Sequence, residues 1–439
     1  MKFKKIRFLL VLVLAPSLLL AQDVRELNLN QAIALGIANS KNLKLSQNRI
    51  DQAIARLTVV RDRVLPSANA SFLYNHAEIP TNTFSLGGNS NTIHLPKRAE
   101  AFVGTAAVKE LIYAGGKLRF AEQSTKLLED VARLDADKSK EEVTFVVIDM
   151  YYSLFKILQS EKVIDQNLSS IAAQIKQSQQ FFDQGLVTKN DVLRFQLQQA
   201  NINLTRMDAE SNRKVVNYNL DIMLGLDEST EVKIVDPTIG AVNPGNLSDY
   251  INMAFANRQE LKQLDLRNKV ADFNVKTIKA DMMPTIGVGA NLYYINPSGG
   301  FFPPANQYLL PITVGASVSW NLASLWTNKN KVSEAKIQQT EISLQKDLLT
   351  DNVKKEINGN YQDFRVAVDK INVLETSIAQ ATENDKLLAA KYTNNIASVT
   401  DRIDAETLLY QAKINLEIAK ADAGLAYYKL LKSTGKITQ

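Results

Sequence analysis

The chain has 439 residues, a formal net charge of +5, 45% hydrophobic and 22% charged residues, two histidines and no cysteine. It is too long for one compact core and too apolar to be disordered. Without cysteine it has no disulfide, thiolate zinc site, cysteine nucleophile or lipid-modified N-terminal cysteine, and His76 and His94 alone offer little for metal or acid–base chemistry.

Lys2, Lys4, Lys5 and Arg7 precede the apolar run Phe8 to Ala15, and Leu18, Leu19, Leu20 and Ala21 lead to the polar Gln22. A basic start, a short apolar middle and a small residue before a polar one read as a secretory signal peptide over residues 1–21. The alternative, a membrane anchor, needs a longer run to cross a bilayer. Removal after Ala21 takes away four positive charges, from +5 to +1, so a nucleic-acid-binding surface has no support. Beyond this leader the longest apolar stretch, near Phe145, Val146, Val147 and Ile148, stops at Asp149. An exported chain of that kind is soluble or a β-barrel component.

The next segment sets a plan that the chain uses twice. A helix is expected over about 30–65, with Ile33, Ile37, Leu43, Ile50, Ile54 and Leu57 at helical spacing. Pro66 ends it, because the residue before a proline is disfavoured in the α region. The alternating Ser67-Ala68-Asn69-Ala70-Ser71-Phe72 starts a strand. Pro80 to Pro96 is a polar loop, and a second strand near Ala101 to Leu111 closes at Gly115-Gly116, giving a hairpin over 67–111. A helix of about 70 residues then runs to Gly185, roughly 100 Å at 1.5 Å per residue. Its Leu127, Val131, Leu134, Phe145, Ile148, Tyr152 and Phe155 follow coiled-coil spacing, interrupted at Lys138 and Glu141. A turn from Gly185 to Lys189 starts a returning helix, about 190–224.

Residues 225–247, with Pro237, Pro244 and three glycines, form a linker. After it the plan recurs. Leu29, Ala32, Ile33, Ala38-Asn39, Leu43-Lys44 and Leu65-Pro66 have counterparts 218 positions on in Leu247, Tyr250, Ile251, Ala256-Asn257, Leu261-Lys262 and Met283-Pro284. FDQGLVTKND, Phe182 to Asp191, has its counterpart 210 positions on in YTNNIASVTD, Tyr392 to Asp401, and Tyr218, Leu220 and Gly225 recur as Tyr428, Leu430 and Gly435. The expected elements are a helix before Pro284, strands Thr285 to Tyr294 and Leu309 to Leu322 around a loop Asn296 to Asn306, a long helix from Trp326 to Asn394, a turn Asn395 to Val399 and a last helix. The organisation is therefore a signal peptide over 1–21, a first repeat over 22–224, a linker over 225–247 and a second repeat over 248–435 with its hairpin at 285–322. A duplication explains the shared register better than chance helical similarity.

Four strands of about 10 residues are long enough to cross a bilayer when tilted. They cannot close a barrel alone, and lipid does not tolerate open edges, so a membrane-spanning sheet here needs several chains. Three would supply about twelve strands. Phe72, Tyr74, Phe84, Phe102, Tyr113, Tyr293, Tyr294, Phe301, Phe302, Tyr308, Trp320 and Trp326 cluster around these segments. Phe72, Tyr74, Phe102, Tyr293, Tyr294, Trp320 and Trp326 fit interfacial girdles, against the alternative of ordinary core packing.

No GxxxxGK[ST], GxSxG or HExxH pattern occurs, so the chain reads as neither an ATPase nor another enzyme, with no cofactor. A passive export duct and a periplasmic helical scaffold, whose hairpins bind partners instead of lipid, both remain.

Leu29, Ala32, Ile33, Ala38, Asn39, Leu43 and Leu65-Pro66, the strand VKELIYAGG from Val108 to Gly116, and Gly185-Leu186-Val187-Thr188 running into Asp191-Val192-Leu193 carry a resemblance to the TolC-like outer-membrane efflux proteins. It covers about residues 27–435. It implies a mainly α chain with a membrane β-barrel portion: a long α-helical coiled-coil barrel, plus four strands per chain in a shared 12-stranded barrel of a homotrimer. It further implies a channel in a Gram-negative outer membrane, among outer-membrane lipid, with its helical part in the periplasm. The partners implied are a periplasmic adaptor and an inner-membrane RND or ABC pump, as in tripartite efflux or type I-like secretion.

The resemblance also assigns residues. Asp401 and Asp404, three apart on one helix face, match an acidic ring at the pore constriction; a macrodipole-favouring acid pair is the alternative. Asp191 and Tyr392 match gate links, with a capping role and a packed aromatic as alternatives. Gly185, Leu186, Val187 and Thr188, with Asn395, Ile396, Ala397 and Ser398, match the adaptor-contact tips. Ala397 stands where some members carry an arginine latch, and Asn190 replaces a hydroxyl residue.

Overall fold

The computed structural model describes residues 24–81, 83–85, 92–94, 97–237, 244–298 and 308–437. The expected signal peptide, Phe301 and Phe302 lie outside the described residues, as do the side chains of Phe84 and His94. In chain order the first half holds β1 (Val24–Leu27), α1 (Leu29–Asn39), α2 (Lys41–Asp62), β2 (Ser67–Glu78), β3 (Thr83–Ser85), β4 (Thr92–His94), β5 (Arg98–Tyr113), α3 (Lys117–Asp183) and α4 (Lys189–Leu224). The second holds β6 (Glu231–Ile234), α5 (Leu247–Asn257), α6 (Gln259–Ala280), β7 (Thr285–Ser298), β8 (Ile312–Ser319), α7 (Ser324–Thr393) and α8 (Val399–Ser433).

Three expectations are corrected. The helix expected over 30–65 is two helices, because Ser40 leaves the helical region at φ −59°, ψ 117°. The preceding Asn39 donates its side-chain amide to the Leu224 carbonyl at 2.7 Å, which ties this break to the end of α4. Arg258, 218 positions on, breaks α5 from α6 in the same way at φ −58°, ψ 126°. The linker contains a strand, β6, which pairs in parallel with β1. The loop from Pro80 to Pro96 contains the short hairpin β3–β4.

The chain divides into two compact units, and each draws on both halves of the sequence. One combines Asn42–Lys140 with Ser248–Ile357; the other combines the residues up to Lys41 with Glu141–Leu247 and those from Asn358 onward. The first holds an antiparallel four-stranded sheet in the order β2-β5-β7-β8, so the two hairpins join through β5 and β7. Gly115 opens α3 at φ +62°, where a Cβ would meet the Ala280 carbonyl oxygen and the Met283 Cβ, each at 2.8 Å. Only glycine meets both demands.

The second unit is packed helices closed by the β1–β6 pair. Its core gathers Val147, Ile148, Tyr151 and Leu154 of α3 with Leu220 and Leu224 of α4, Val232 and Ile234 of β6, and Ala32 of α1. Each such large apolar side chain contributes about 1.5–3 kcal/mol on burial. The Tyr151 hydroxyl reaches the Val235 carbonyl at 2.6 Å and the Leu27 carbonyl at 3.1 Å, which ties both edge segments to α3. Asp221 is also fully buried. Its Oδ2 accepts from Asn217 at 2.7 Å, and burial, with Asp227 nearby, pushes its carboxyl up to about 6.

Candidate functional site

The strand register sorts the sheet into two unlike faces. Cross-strand pairing aligns Ala68, Ala70, Phe72 and Tyr74 with Val108, Ala106, Gly104 and Phe102. The same rows continue through Ala290, Leu292 and Tyr294 of β7. They end at Ile312, Val314, Ala316 and Val318 of β8, opposite Leu292, Ala290, Val288 and Ile286. This face is almost wholly apolar, with Glu110 its one charge between the aromatic row and Ile286, and it is open: Val314 is 82% exposed. The alternate residues Ser67, Asn69, Ser71, Thr105, Lys109, Thr285, Asn291, Thr313, Ser317 and Ser319 make the opposite face mainly polar, with the apolar row Leu73, Val103 and Ile295 toward the aromatic end and Leu111 toward the other. A face of Val, Ile, Leu and Phe that no other element covers among the described residues is costly in water and favoured in lipid.

The aromatic residues stand at the ends of the apolar face. Tyr74 packs on Phe102 with ring centres 4.9 Å apart, and Phe72 lies 6.2 Å from the same ring. Tyr294 stacks on Tyr308 at 5.9 Å. Beyond this row come charges, with Arg98 on Glu78 at 3.2 Å and His76 beside Glu100 at 3.5 Å. At the other end Trp320 follows β8 and donates its indole N–H to the Met282 carbonyl at 3.0 Å. Trp326 is in the first turn of α7 and exposed. Tyr293 corrects the expected girdle: strand parity puts it on the polar face, opposite Thr105. Among the described residues β2 pairs only with β5 and β8 only with β7, so both sheet edges carry unpaired backbone groups.

The second feature is the pair of turns that reverse α3 into α4 and α7 into α8. Gly185 at φ +76° and Asn395 at φ +58° hold the same left-handed position. Each donates its N–H three residues back, to Phe182 and Tyr392, and the next residue donates to Phe181 and Lys391, at 2.8–3.0 Å throughout. This is the Schellman arrangement that satisfies the last carbonyls of a helix. Leu186 and Ile396 are exposed at the tips, with Val187 and Ala397 half-buried behind them. Arg194 of α4 donates to the Thr400 hydroxyl of α8 at 2.7 Å, so the two returning helices touch near their starts.

Asp191 and Asp401 have local duties. The Asp191 carboxylate accepts from the N–H and the hydroxyl of Thr188, both at 2.8 Å. The Asp401 carboxylate accepts from the Ser398 N–H at 3.2 Å and hydroxyl at 2.8 Å, and Asp401 donates its own N–H to the Ser398 hydroxyl at 3.1 Å. Both motifs cap the returning helix. Asp404 is exposed one turn further along α8.

The two gate-link residues Tyr392 and Asp191 are not hydrogen-bonded to each other within the chain. Tyr392 is buried between Phe181 and Phe195, with ring centres at 5.9 and 5.8 Å, and its hydroxyl lies beside that of Ser178. Burial pushes its phenol up from the ordinary value. The ties between helices are elsewhere. Arg402, between the two aspartates in sequence but on the inner face of α8, is buried and paired with Asp385 of α7. The Gln174 amide of α3 donates to the buried Glu406 carboxylate at 2.6 Å. Sequence reasoning missed both ties; the available signal was Arg402 at the position where the first half carries the apolar Val192.

No protein-family model matches the chain. It is 17% identical over 427 residues, 97% of its length and 89% of the relative's, to the outer membrane efflux protein BepC of Brucella suis biovar 1 (strain 1330). Among solved structures it is similar to the outer-membrane channel OprN, with a TM-score of 0.76 and 15% identity over 93% of this chain and 90% of that one. It is similar to VceC of Vibrio cholerae, with a TM-score of 0.76 and 14% identity over 94% and 97%. It is also similar to the CmeC outer membrane channel of Campylobacter jejuni, with a TM-score of 0.75 and 15% identity over 94% and 87%. The chain has the fold of these outer-membrane channels.

Proposed function

We propose that this chain is the outer-membrane exit duct of a tripartite efflux or type I-like secretion system. The two-faced sheet with open edges carries this reading. Three copies joined edge to edge form one barrel of about twelve strands, which leaves no free edge and turns the apolar face to lipid. The mainly polar face then lines the lumen mostly with small neutral side chains, beside Tyr293 and the row Leu73, Val103 and Ile295, and Lys109 carries the one charge in the rows between the aromatic ends. Such a lining passes polar solutes without holding them, so the duct acts passively and selection belongs to the inner-membrane pump, of RND or ABC kind.

The helical part is periplasmic in this reading. Leu186 and Ile396, with the turns that present them, meet a periplasmic adaptor, because exposed apolar side chains at a helix tip suit docking. Asp401 and Asp404 of three copies bring six carboxylates to the narrow end, which draws cations and disfavours anions. The Arg402–Asp385 pair and the Gln174–Glu406 bond hold the closed arrangement, in place of a Tyr392–Asp191 bond. The duplication over 22–224 and 248–435 gives two hairpins and two turns per chain from one plan.

Native mass spectrometry of the detergent-extracted outer-membrane fraction tests the assembly. A homotrimer that also conducts in planar bilayers is the expected result. A monomer confined to the soluble periplasm would overturn it and leave the helical scaffold.

A further inference from the structure

The register of the four-stranded sheet shows what surrounds Lys109, the one charge on its polar face. Ser67, Lys109, Gly289 and Gly315 form one row across β2, β5, β7 and β8. Ser317 stands in the row on one side, and Asn291 with Thr313 in the row on the other. A hollow of about 540 Å³ lies over these rows, a volume in the range of small-molecule sites. It exists because β7 and β8 present backbone without side chains there. A Cβ on Gly289 would lie 3.3 Å from the Cγ of Lys109, so the lysine stem leans over β7. A Cβ on Gly315 would meet nothing within 4 Å, so the space beyond stays open.

The chemistry of the hollow selects its occupant. Lys109 is exposed, and among the described residues of this face there is no carboxylate to neutralise it. Glu110, its neighbour in sequence, stands on the apolar face by strand parity. The other polar groups are hydroxyls and one amide, all able to donate. An ammonium among neutral donors repels cations and favours an oxyanion, whose several oxygens accept from the charge and the hydroxyls together. We propose that this hollow is a binding site for the oxyanion group, carboxylate, sulfate or phosphate, of small solutes. Its place inside a lumen rests on the duct reading, in which three copies set three such lysines around one barrel. Exposure keeps the binding weak, because salt screens an exposed charge within about 10 Å. Weakness suits a conduit, where a site must be favourable enough to enter and loose enough to leave.

The chain has no cysteine, so Ser317→Cys places a single thiol in the hollow. The test follows its modification in the full detergent-solubilised chain by two methanethiosulfonates, the anionic sulfonatoethyl and the cationic trimethylammonioethyl reagent, read by mass spectrometry. The ratio of the anionic to the cationic rate should fall about threefold in Lys109→Gln, as loss of one screened charge at close range gives, and hold in Lys109→Arg. Inorganic pyrophosphate, against chloride at equal ionic strength, should slow the anionic reagent about twofold when present near its Kd, and only where residue 109 is charged. A rate ratio that Lys109→Gln leaves unchanged would overturn the proposal. So would a reaction that pyrophosphate does not slow, or slows equally in Lys109→Gln. The pyrophosphate comparison with Lys109 in place decides even if the glutamine variant fails to fold. Conductance of the same protein in planar bilayers reads the duct separately: the expected labelling without conductance keeps the anion site and removes it from a lumen.

Discussion

At an offset of 210 residues, Gly185 and Asn395 share a left-handed backbone, the same pair of backbone hydrogen bonds, and an aspartate three residues after a hydroxyl N-cap. The side chains behind them differ. Phe182 is exposed where Tyr392 is buried, and the buried apolar Val192 corresponds to the buried, ion-paired Arg402. Further along, the buried carboxylate Asp221 corresponds to Leu431. The lesson is that turns and caps are satisfied within a few residues and so survive in both copies. What lies beneath is set by the neighbouring helices, which are not the same for the two turns.

The largest expected effect is at Arg402. Arg402→Met leaves Asp385 without its cation, and about 3 kcal/mol of unfolding free energy should be lost in denaturant titrations of the detergent-solubilised protein. Adding Asp385→Leu should return most of it. Val192→Ala, the matching truncation in the first turn, should cost about 1–2 kcal/mol. An Arg402→Met loss no larger than that of Val192→Ala would mean that the charged joint adds nothing.

Next comes Asp221 against Leu431. The folded carboxyl titrates at about 6, above its ordinary value of 3.8, so the folded state holds the proton more tightly. Its contribution is therefore complete below about pH 4, declines as pH rises to about 6 and stays lost above that. Asp221→Asn should flatten this slope and raise stability at pH 7 by about 2 kcal/mol. A slope unchanged in the variant would place the titrating group elsewhere.

A smaller effect separates the two caps. Ser398 accepts from the Asp401 N–H, whereas the Asp191 N–H is taken by the Thr188 carbonyl at 3.1 Å. Ser398→Ala should therefore cost about 1 kcal/mol and Thr188→Ala about half as much, by thermal melting. Equal losses would erase this difference between the turns. The least effect on stability is expected from Asp401→Asn with Asp404→Asn, since asparagine keeps a cap acceptor at 401. Their effect belongs to the pore: block of single-channel conductance by divalent cations should weaken, and unchanged block would remove both residues from its narrow end.

Much of the molecule was legible from local pattern. The alternation of Ser67 to Phe72, the helix-ending Pro66 and Pro284, the glycine pair before α3 and the turn residues Gly185 and Asn395 each act over a few bonds, and their elements appear where the pattern puts them. The repeated register gave the order of elements in both halves. The breaks at Ser40 and Arg258 were not legible, because helical apolar spacing continues across them and the Asn39 bond beside Ser40 runs to a carbonyl 185 residues away. The parallel β1–β6 pair was likewise hidden, since each four-residue strand has a partner more than 200 positions distant.

The sequence by itself determined the strands, the long helices, their turns and caps, because hydrophobic period, proline, glycine and capping chemistry act within a turn or two of the chain. Only the tertiary structure decided which strand residues share a face, and so that Tyr293 stands on the polar side. It alone showed that Asp191 and Asp401 serve their own helix ends, and that the ties between helices run through Arg402, Asp385, Gln174 and Glu406. Those outcomes depend on register and burial, which arise when distant segments pack and desolvate one another.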